Sequence, residues 1–597
     1  MGSASSSNVP RAFAVGVALA LLVGLAVTPA TAQSGPEVDF LLTVLHNNDG
    51  ESELIGTEDF GGVARFKSLV DQLKFEATHG PPPIDVRGTK RGVVMLSSGD
   101  NFLAGPQFNA SLDKGPPFFD TIAMDLIGYD AVAIGNHEFD FGPDVLAEFI
   151  GGFSSAVPFL SSNLDVSGEP ALQALAEQGR IAGSTVVVER GERIGVVGAT
   201  TPLLSFISSP RNVVVDSDVA GAIQDEVDAL ESMGIDKIIL ISHLQSLAED
   251  LELAPQLSGV DIMIAGGGDE LLANPDDLLV PGDAPLGPYP TFATDADSKS
   301  VPVVTTSGQY FYVGRLAAGF DRQGELVRIN SGPVRVSGVE PDAVPSDPVV
   351  EEQVTEPVAA SIAELGSNVI GTSEVDLNGL RNDVRTKETN EGNLIADSLL
   401  DQATVLGPAF GAPVPQVALQ NGGGIRNDSV IPAGPISELD TFDMVPFANF
   451  LSVVPDIPRA QFKEILENAV SRVEFVDGRF AQIAGFEMTW DSTGTAQVLD
   501  ADGNVLTPGT RVIEVVLDDG TPIVSAGAVV TGPGLNIATI DFLARGGDQY
   551  PYRGASFTTL GITYQQALEN YIETTLGGLI TKAQYPLGSE GRITQLP

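Results

Sequence analysis

Short apolar runs recur along the chain and break off in the same few polar residues. "VDFLLTVL" stops at His46-Asn47-Asn48-Asp49, "RGVVMLSS" at Gly99-Asp100-Asn101, and "DAVAIG" at Asn136-His137-Glu138-Phe139-Asp140. "DKIILIS" stops at His243, and "VDIMIAGGG" at Asp269-Glu270. Such β-branched runs read as strands buried on both faces, and helix-like sequence follows several of them. The alternation predicts an α/β fold with functional residues gathered at strand ends. It holds over residues 38–340. Within it Asn274–Ser300, rich in Pro, Gly and Asp, reads as a long surface loop.

Residues 341–365 are a proline-punctuated linker that passes into a helix ending at Leu365. A second domain, 366–597, mixes a helix over Asn390–Ala403 with strand-like runs such as "FLSVVPDI" and "RVIEVVL". Two domains are also what a chain of 597 residues calls for. Residues 1–32 stand apart: Arg11, an apolar run from Ala12 to Val27, then Ala30-Thr31-Ala32. That is the layout of a cleaved secretory signal peptide, with an uncleaved anchor as the alternative. A periplasmic or secreted protein without membrane attachment after cleavage is expected.

Charge narrows the partners. With 31 Lys and Arg against 79 Asp and Glu, the net charge of −48 repels nucleic-acid polymers and anionic membranes. The absence of cysteine removes disulfides and thiolate metal ligands. Basic clusters therefore stand out. "LRNDVRTKETNEGNLIADSLL" carries Arg381 and Arg385, and "ALQNGGGIRNDSV" carries Arg426 behind three glycines. A guanidinium fork suits phosphate oxygens, and glycine lets backbone approach them closely. Of the four histidines, His46, His137 and His243 end apolar runs beside Asn, Asp or Ser, whereas His79 does not.

In order, "HNNDGE", "SSGDN", "GNHEFD" and "ISH" resemble the calcineurin-like metallophosphoesterases, in particular the exported 5′-nucleotidase family. That family's Gly-Asn-His-Glu-Phe-Asp is matched in full. "VPFANFL" and "IDFLARGGDQYPY" extend the resemblance to the family's C-terminal domain, so that it spans about Phe40 to Ile593. It implies a four-layer α/β-sandwich metallophosphoesterase domain followed by an α+β substrate-binding domain. It also implies two divalent ions, with Asp49 on the first, Asp100 bridging, and Asn136 and His243 on the second. His137 would steady the phosphoryl group or the leaving oxygen, with Asp140 orienting its ring; His46 would be structural. Arg381, Arg385 and Arg426 would grip phosphate, and Phe447 and Phe542 would sandwich the base. Asn449 and the backbone of Gly485 would also touch the nucleotide, and Asp548 the ribose hydroxyls.

The chain departs from the family at two places. Glu51 stands where the family's Asp-x-His has its imidazole, and Gly267 where a second-ion histidine is expected, with Asp269 at a first-ion position. Carboxylate and amide oxygens favour Mn²⁺, Mg²⁺ or Ca²⁺ over Zn²⁺. The activity implied is release of phosphate from 5′-nucleotides by metal-activated water, with nucleoside di- and triphosphates or nucleotide sugars as related substrates. A 2′,3′-cyclic phosphodiesterase with 3′-nucleotidase activity, a broad phosphomonoesterase, and a nucleotide-binding protein without turnover stay open. A monomer or weak dimer is expected.

Overall fold

The computed structural model describes residues 37–597 apart from 85, 87, 88, 269, 501 and 502; the leader read at 1–32 lies outside them. Five strands, β1 (Phe40–Asn47), β2 (Lys90–Ser97), β3 (Ala131–Ala133), β4 (Phe159–Leu160) and β5 (Ile181–Ala182), run parallel side by side. The chain then builds a second sheet from β6 (Ser184–Glu189), β7 (Glu192–Thr200), β8 (Ile238–His243), β9 (Ile262–Gly266), β10 (Thr291–Thr294) and β11 (Ser300–Val304). Its order is β10-β11-β9-β8-β7-β6, with β7, β8, β9 and β11 parallel. Two antiparallel strands, β12 (Tyr312–Phe320) and β13 (Leu326–Ser331), return to the first sheet on the outer side of β1.

Side-chain alternation explains the layering. On β1, Phe40, Leu42 and Val44 enter a core shared with Ile194 and Val196 of β7, Ile239 and Ile241 of β8, and Ile264 of β9. Leu45 belongs to the core beneath the helices Val63–His79, Phe119–Ile127 and Gly142–Gly151. Ile223, Val227 and Leu230 of the helix Val219–Ser232 cover the second sheet. The result is the four-layer α/β sandwich that the resemblance implied. The expected loop Asn274–Ser300 differs at one end, because Thr291–Thr294 pairs antiparallel with β11. The Pro, Gly and Asp around this four-residue strand hide it from a reading by composition.

Between the two halves, residues 348–367 are helical almost throughout. Asp347 caps the start, its Oδ1 accepting from the Val349 and Val350 amides at 2.9 and 3.0 Å. Val350, Val354 and Val358 form an i, i+4, i+8 stripe buried in the core of the first half. Beyond it lies a separate core running from Ile370 to Ile593. There β14 (Val417–Asn421), β15 (Phe450–Ile457), β16 (Ala481–Ala484), β17 (Leu535–Ile540) and β18 (Thr558–Thr563) form a sheet ordered β16-β14-β17-β15-β18. Val512–Leu517, the run "VIEVVL", lies in a further sheet. The helix Asn390–Leu406 packs Leu394, Ile395, Leu399 and Ala403 inward, and the Thr389 hydroxyl caps it by accepting from the Gly392 amide at 3.0 Å. Among the described residues no helix is long and apolar enough to cross a membrane.

Candidate active site

Parallel strands end on one edge, and register brings three of those ends together. Asn47 lies opposite Ser97, and Ser97 opposite Val132, so the turns after β1, β2 and β3 leave side by side. Across the sandwich, His243 at the end of β8 lies opposite Gly266 of β9. The turns are sharp: Asp49 and Asp100 hold left-handed backbone at φ 50° and 51°, and Gln245 at 88°. Such conformations cost a side-chain-bearing residue on the order of 1 kcal/mol each.

Glu138 fixes the frame behind the carboxylates. Its two oxygens accept from the backbone amides of Asp100 at 3.0 Å, Asn101 at 2.7 Å and Gly135 at 2.7 Å. Burial pushes its carboxyl up to about 7. On this frame Asp49, Asp100 and His243, all buried, bring one ligand atom each within 4.8 Å of one another. His243 Nδ1 lies 2.7 Å from the Ser98 carbonyl, which can only accept, so this nitrogen carries the proton. Its Nε2 then faces Asp100 Oδ2 at 2.9 Å and Asn136 Oδ1 at 3.1 Å.

These convergent atoms demand positive charge. Burial opposes protonation of His243, yet the carboxylates of Asp100 and Asp49 overcome it and push the imidazole up to about 10. Burial also drives Asp49 well above the usual carboxylate range, helped by repulsion from Asp100 and Glu51. A divalent cation answers the same demand, displacing the extra proton. The donor set of two carboxylates, an amide oxygen and one imidazole thus fits a divalent ion.

His137 stands beside this cluster. Its Nδ1 donates to Asp140 Oδ2 at 2.7 Å, and the Ser208 hydroxyl donates to Asp140 Oδ1 at 2.8 Å, so ring and carboxylate are both oriented. Nε2 is left facing Asp100 Oδ2 at 3.8 Å. Burial works against charge on this ring, but Asp140 and Asp100 raise it well above its ordinary value. Glu51 stands next to the cluster: its charge bears on Asp49 and His137, and its Oε2 accepts from Gln309 Nε2 at 3.1 Å. It is not one of the three converging groups, and its carboxylate meets Gln309. Asp269 lies outside the described residues. His46 is buried elsewhere, its Nε2 hydrogen-bonded to the Tyr289 hydroxyl at 2.7 Å, which agrees with a structural part.

A cavity of about 610 Å³ opens in front of His137. Asn136, His137 and Asp140 form one wall; Arg381, Arg385, Arg426, Phe447, Asn449, Phe542 and Asp548 of the second half face them. Arg385 is nearly buried, and its Nε has no hydrogen-bond partner. Burial and the neighbouring Arg381 and Arg426 lower its pKa, the signature of crowded cations facing a space that suits an anion. The Arg426 guanidinium lies over the Phe447 ring at 5.3 Å. Asp548 Oδ2 accepts from Asn421 Nδ2 at 2.6 Å.

Gly485 requires a correction. Its carbonyl accepts from the Asp518 amide at 3.1 Å, a side chain there would strike the Gln416 carbonyl, and it does not line the cavity. Gly478 lines the cavity instead. A Cβ on it would lie 3.0 Å from Gly423 Cα, so both glycines permit one close backbone crossing. Sequence reasoning also missed Gln245, Asn421 and Ser208, all at this site. Asn421 precedes the triple glycine at a strand end and carried a readable signal; Ser208 carried none.

Behind the arginines Glu391 is buried, with Oε2 accepting from Asn427 Nδ2 at 3.2 Å and Oε1 without a partner. Burial pushes its carboxyl from 4.5 up to about 8. Between those values the folded chain holds a proton that the unfolded chain releases, so this group makes stability fall as pH rises from about 4.5 to 8. Glu391→Gln keeps the shape and stays neutral. It should raise the urea midpoint at pH 8 relative to the parent, by the equivalent of a few kcal/mol at most, and leave little gain at pH 5. Parallel stability curves for the two proteins across this range would show that Glu391 titrates normally.

Comparison with known proteins accords with this geometry. Residues 369–554 match the family model "5′-nucleotidase, C-terminal domain". The 5′-nucleotidase precursor from Thermus thermophilus is 31% identical, with 93% of this chain and 99% of that one covered and a TM-score of 0.67. A 5′-nucleotidase of Diplobatis ommata is 29% identical over 542 residues, covering 86% of this chain and 84% of its own. A trifunctional nucleotide phosphoesterase protein of Bacillus subtilis is 30% identical over 535 residues, of whose length this chain spans only 32%. With strand ends, arginine cluster and likeness along nearly the whole length in agreement, the chain belongs to the 5′-nucleotidase family of phosphoester hydrolases.

Proposed function

We propose that this protein is an exported, divalent-cation-dependent hydrolase that releases inorganic phosphate from 5′-nucleotides. One observation carries the reading: a single cavity has Asn136 and His137, which touch the Asp49–Asp100–His243 cluster, on one wall and three arginines with two phenylalanines on the other. Asp49, Asp100, Asn136 and His243 would hold two ions. Bound there, divalent ions neutralise phosphate charge and acidify a water.

The chain's own residues account for the rest. Arg381, Arg385 and Arg426 bind the phosphate and fix its orientation. Phe447 and Phe542 stack the base, which is worth about 1–3 kcal/mol and tolerates different bases. Asp548 accepts from ribose hydroxyls, and Asn421 holds it in place. His137 Nε2, aimed by the Asp140–Ser208 chain, donates a hydrogen bond to the oxygen on which charge develops. The leader at 1–32 supports export to the periplasm or the medium. Nucleoside di- and triphosphates and nucleotide sugars fit the same groups, as do the cyclic-phosphodiesterase and broad phosphomonoesterase alternatives.

A substrate-by-metal panel tests the reading. Chelated protein is assayed on AMP, 3′-AMP, 2′,3′-cyclic AMP and p-nitrophenyl phosphate, each with Mn²⁺, Mg²⁺, Ca²⁺ or Zn²⁺. The expected result is no activity without metal, AMP the best substrate, and Mn²⁺, Mg²⁺ or Ca²⁺ more effective than Zn²⁺. Tight AMP binding with no phosphate release under any metal would replace the hydrolase by a nucleotide-binding protein.

A further inference from the structure

Gly267 leaves the second ion's surroundings short of a side chain, and the structure shows what stands there. A Cβ on Gly267 would lie 2.7 Å from the backbone nitrogen of Gln245, 2.9 Å from its Cα and 3.0 Å from His243 Nε2. Gly267 also sits at φ 89°, a conformation that disfavours any side chain. No residue other than glycine fits at 267 while Gln245 keeps its place.

Gln245 holds that place at a cost, with a left-handed backbone at φ 88°. Its side-chain amide donates to Asn136 Oδ1, the same oxygen that lies 3.1 Å from His243 Nε2. Gln245 also lines the cavity that contains Asn136 and His137. A primary amide carries an oxygen and a nitrogen on one flat group, and a half-turn about the last bond exchanges them. The arrangement that meets Asn136 with an N–H therefore becomes one that presents an oxygen beside it.

We propose that the Gln245 side-chain oxygen is a ligand of the second cation, filling the coordination position for which residue 267 has no side chain. The assignment rests on the two-ion reading above. It adds a neutral oxygen donor, and so biases the second position further toward a hard cation and away from Zn²⁺.

Glycine is comfortable at φ 88°, so Gln245→Gly removes the amide without straining the backbone. Metal-free parent and variant should melt at similar temperatures, the variant no lower. After equilibrium dialysis against Mn²⁺, elemental analysis should count two ions per chain in the parent and one in Gln245→Gly, with calorimetric titration showing the weaker site reduced at least ~10-fold. Gln245→Glu, which keeps an oxygen at this point, should retain two. Parental stoichiometry and affinity in Gln245→Gly, or loss of the second ion in Gln245→Glu, would overturn the assignment while leaving the two-ion reading intact. A parent that binds fewer than two ions would overturn that reading, and this one with it.

Discussion

Asp100→Asn should fold as the parent does, bind divalent cations at least ~100-fold more weakly, and show a kcat/KM for AMP at least ~1000-fold below the parent's. The fold should survive because an asparagine oxygen can still accept from the His137 amide, which donates to Asp100 Oδ1 at 2.8 Å. What goes is one of the two buried carboxylate charges of the cluster. Burial opposes that charge, but His243 and His137 beside it hold Asp100 below the usual carboxylate range, so it is fully present near neutral pH. Its removal leaves one buried carboxylate, Asp49, in the cluster. Calorimetric Mn²⁺ titration with a phosphate-release assay checks both parts. An Asp100→Asn enzyme with metal affinity within threefold of the parent's would move the cation site elsewhere.

The second large effect is expected at His137. His137→Ala should lower kcat for AMP by about 10²–10⁴, the range for a positioned acid or hydrogen-bond donor acting in the transition state. Binding of AMP should change by less than about threefold, because the arginines and phenylalanines proposed to hold it lie in the other half of the chain. Metal content should stay at the parental level, since neither imidazole nitrogen of His137 is among the converging ligand atoms. Asp140→Asn should give a smaller loss of kcat, because Ser208 still orients residue 140 through its Oδ1. A His137→Ala enzyme that loses AMP affinity while keeping kcat would make the histidine a binding group.

Much of this was legible in the sequence, for a physical reason. In a parallel sheet every strand delivers its last residues to one edge, so Asp49, Asp100 and Asn136 had to leave the first sheet together once their runs were read as neighbouring strands. His243 followed from the second sheet by the same rule. Arg381, Arg385 and Arg426 showed because basic residues are few in so acidic a chain, 31 against 79, and each lies near glycines or asparagines. Pairings across sequence distance stayed hidden. Gln309 reaches Glu51 from 258 residues away. Nothing in "ISHLQS" marks Gln245 until the space beside Gly267 is seen in three dimensions. Gly485 comes from the resemblance alone, and only the fold shows that Gly478, before β16, lines the cavity. The hairpin that begins with β10 was masked by its own turn residues.

The left-handed turns at Asp49, Asp100 and Gln245 carry a consequence for the protein's evolution. At each of them glycine would relax the main chain, so drift toward thermal robustness and selection for chemistry pull in opposite directions at the same codons. A laboratory screen that rewarded endurance alone would be drawn to these positions and would return sturdy, inert proteins. Screens of this scaffold therefore need a catalytic readout in every round.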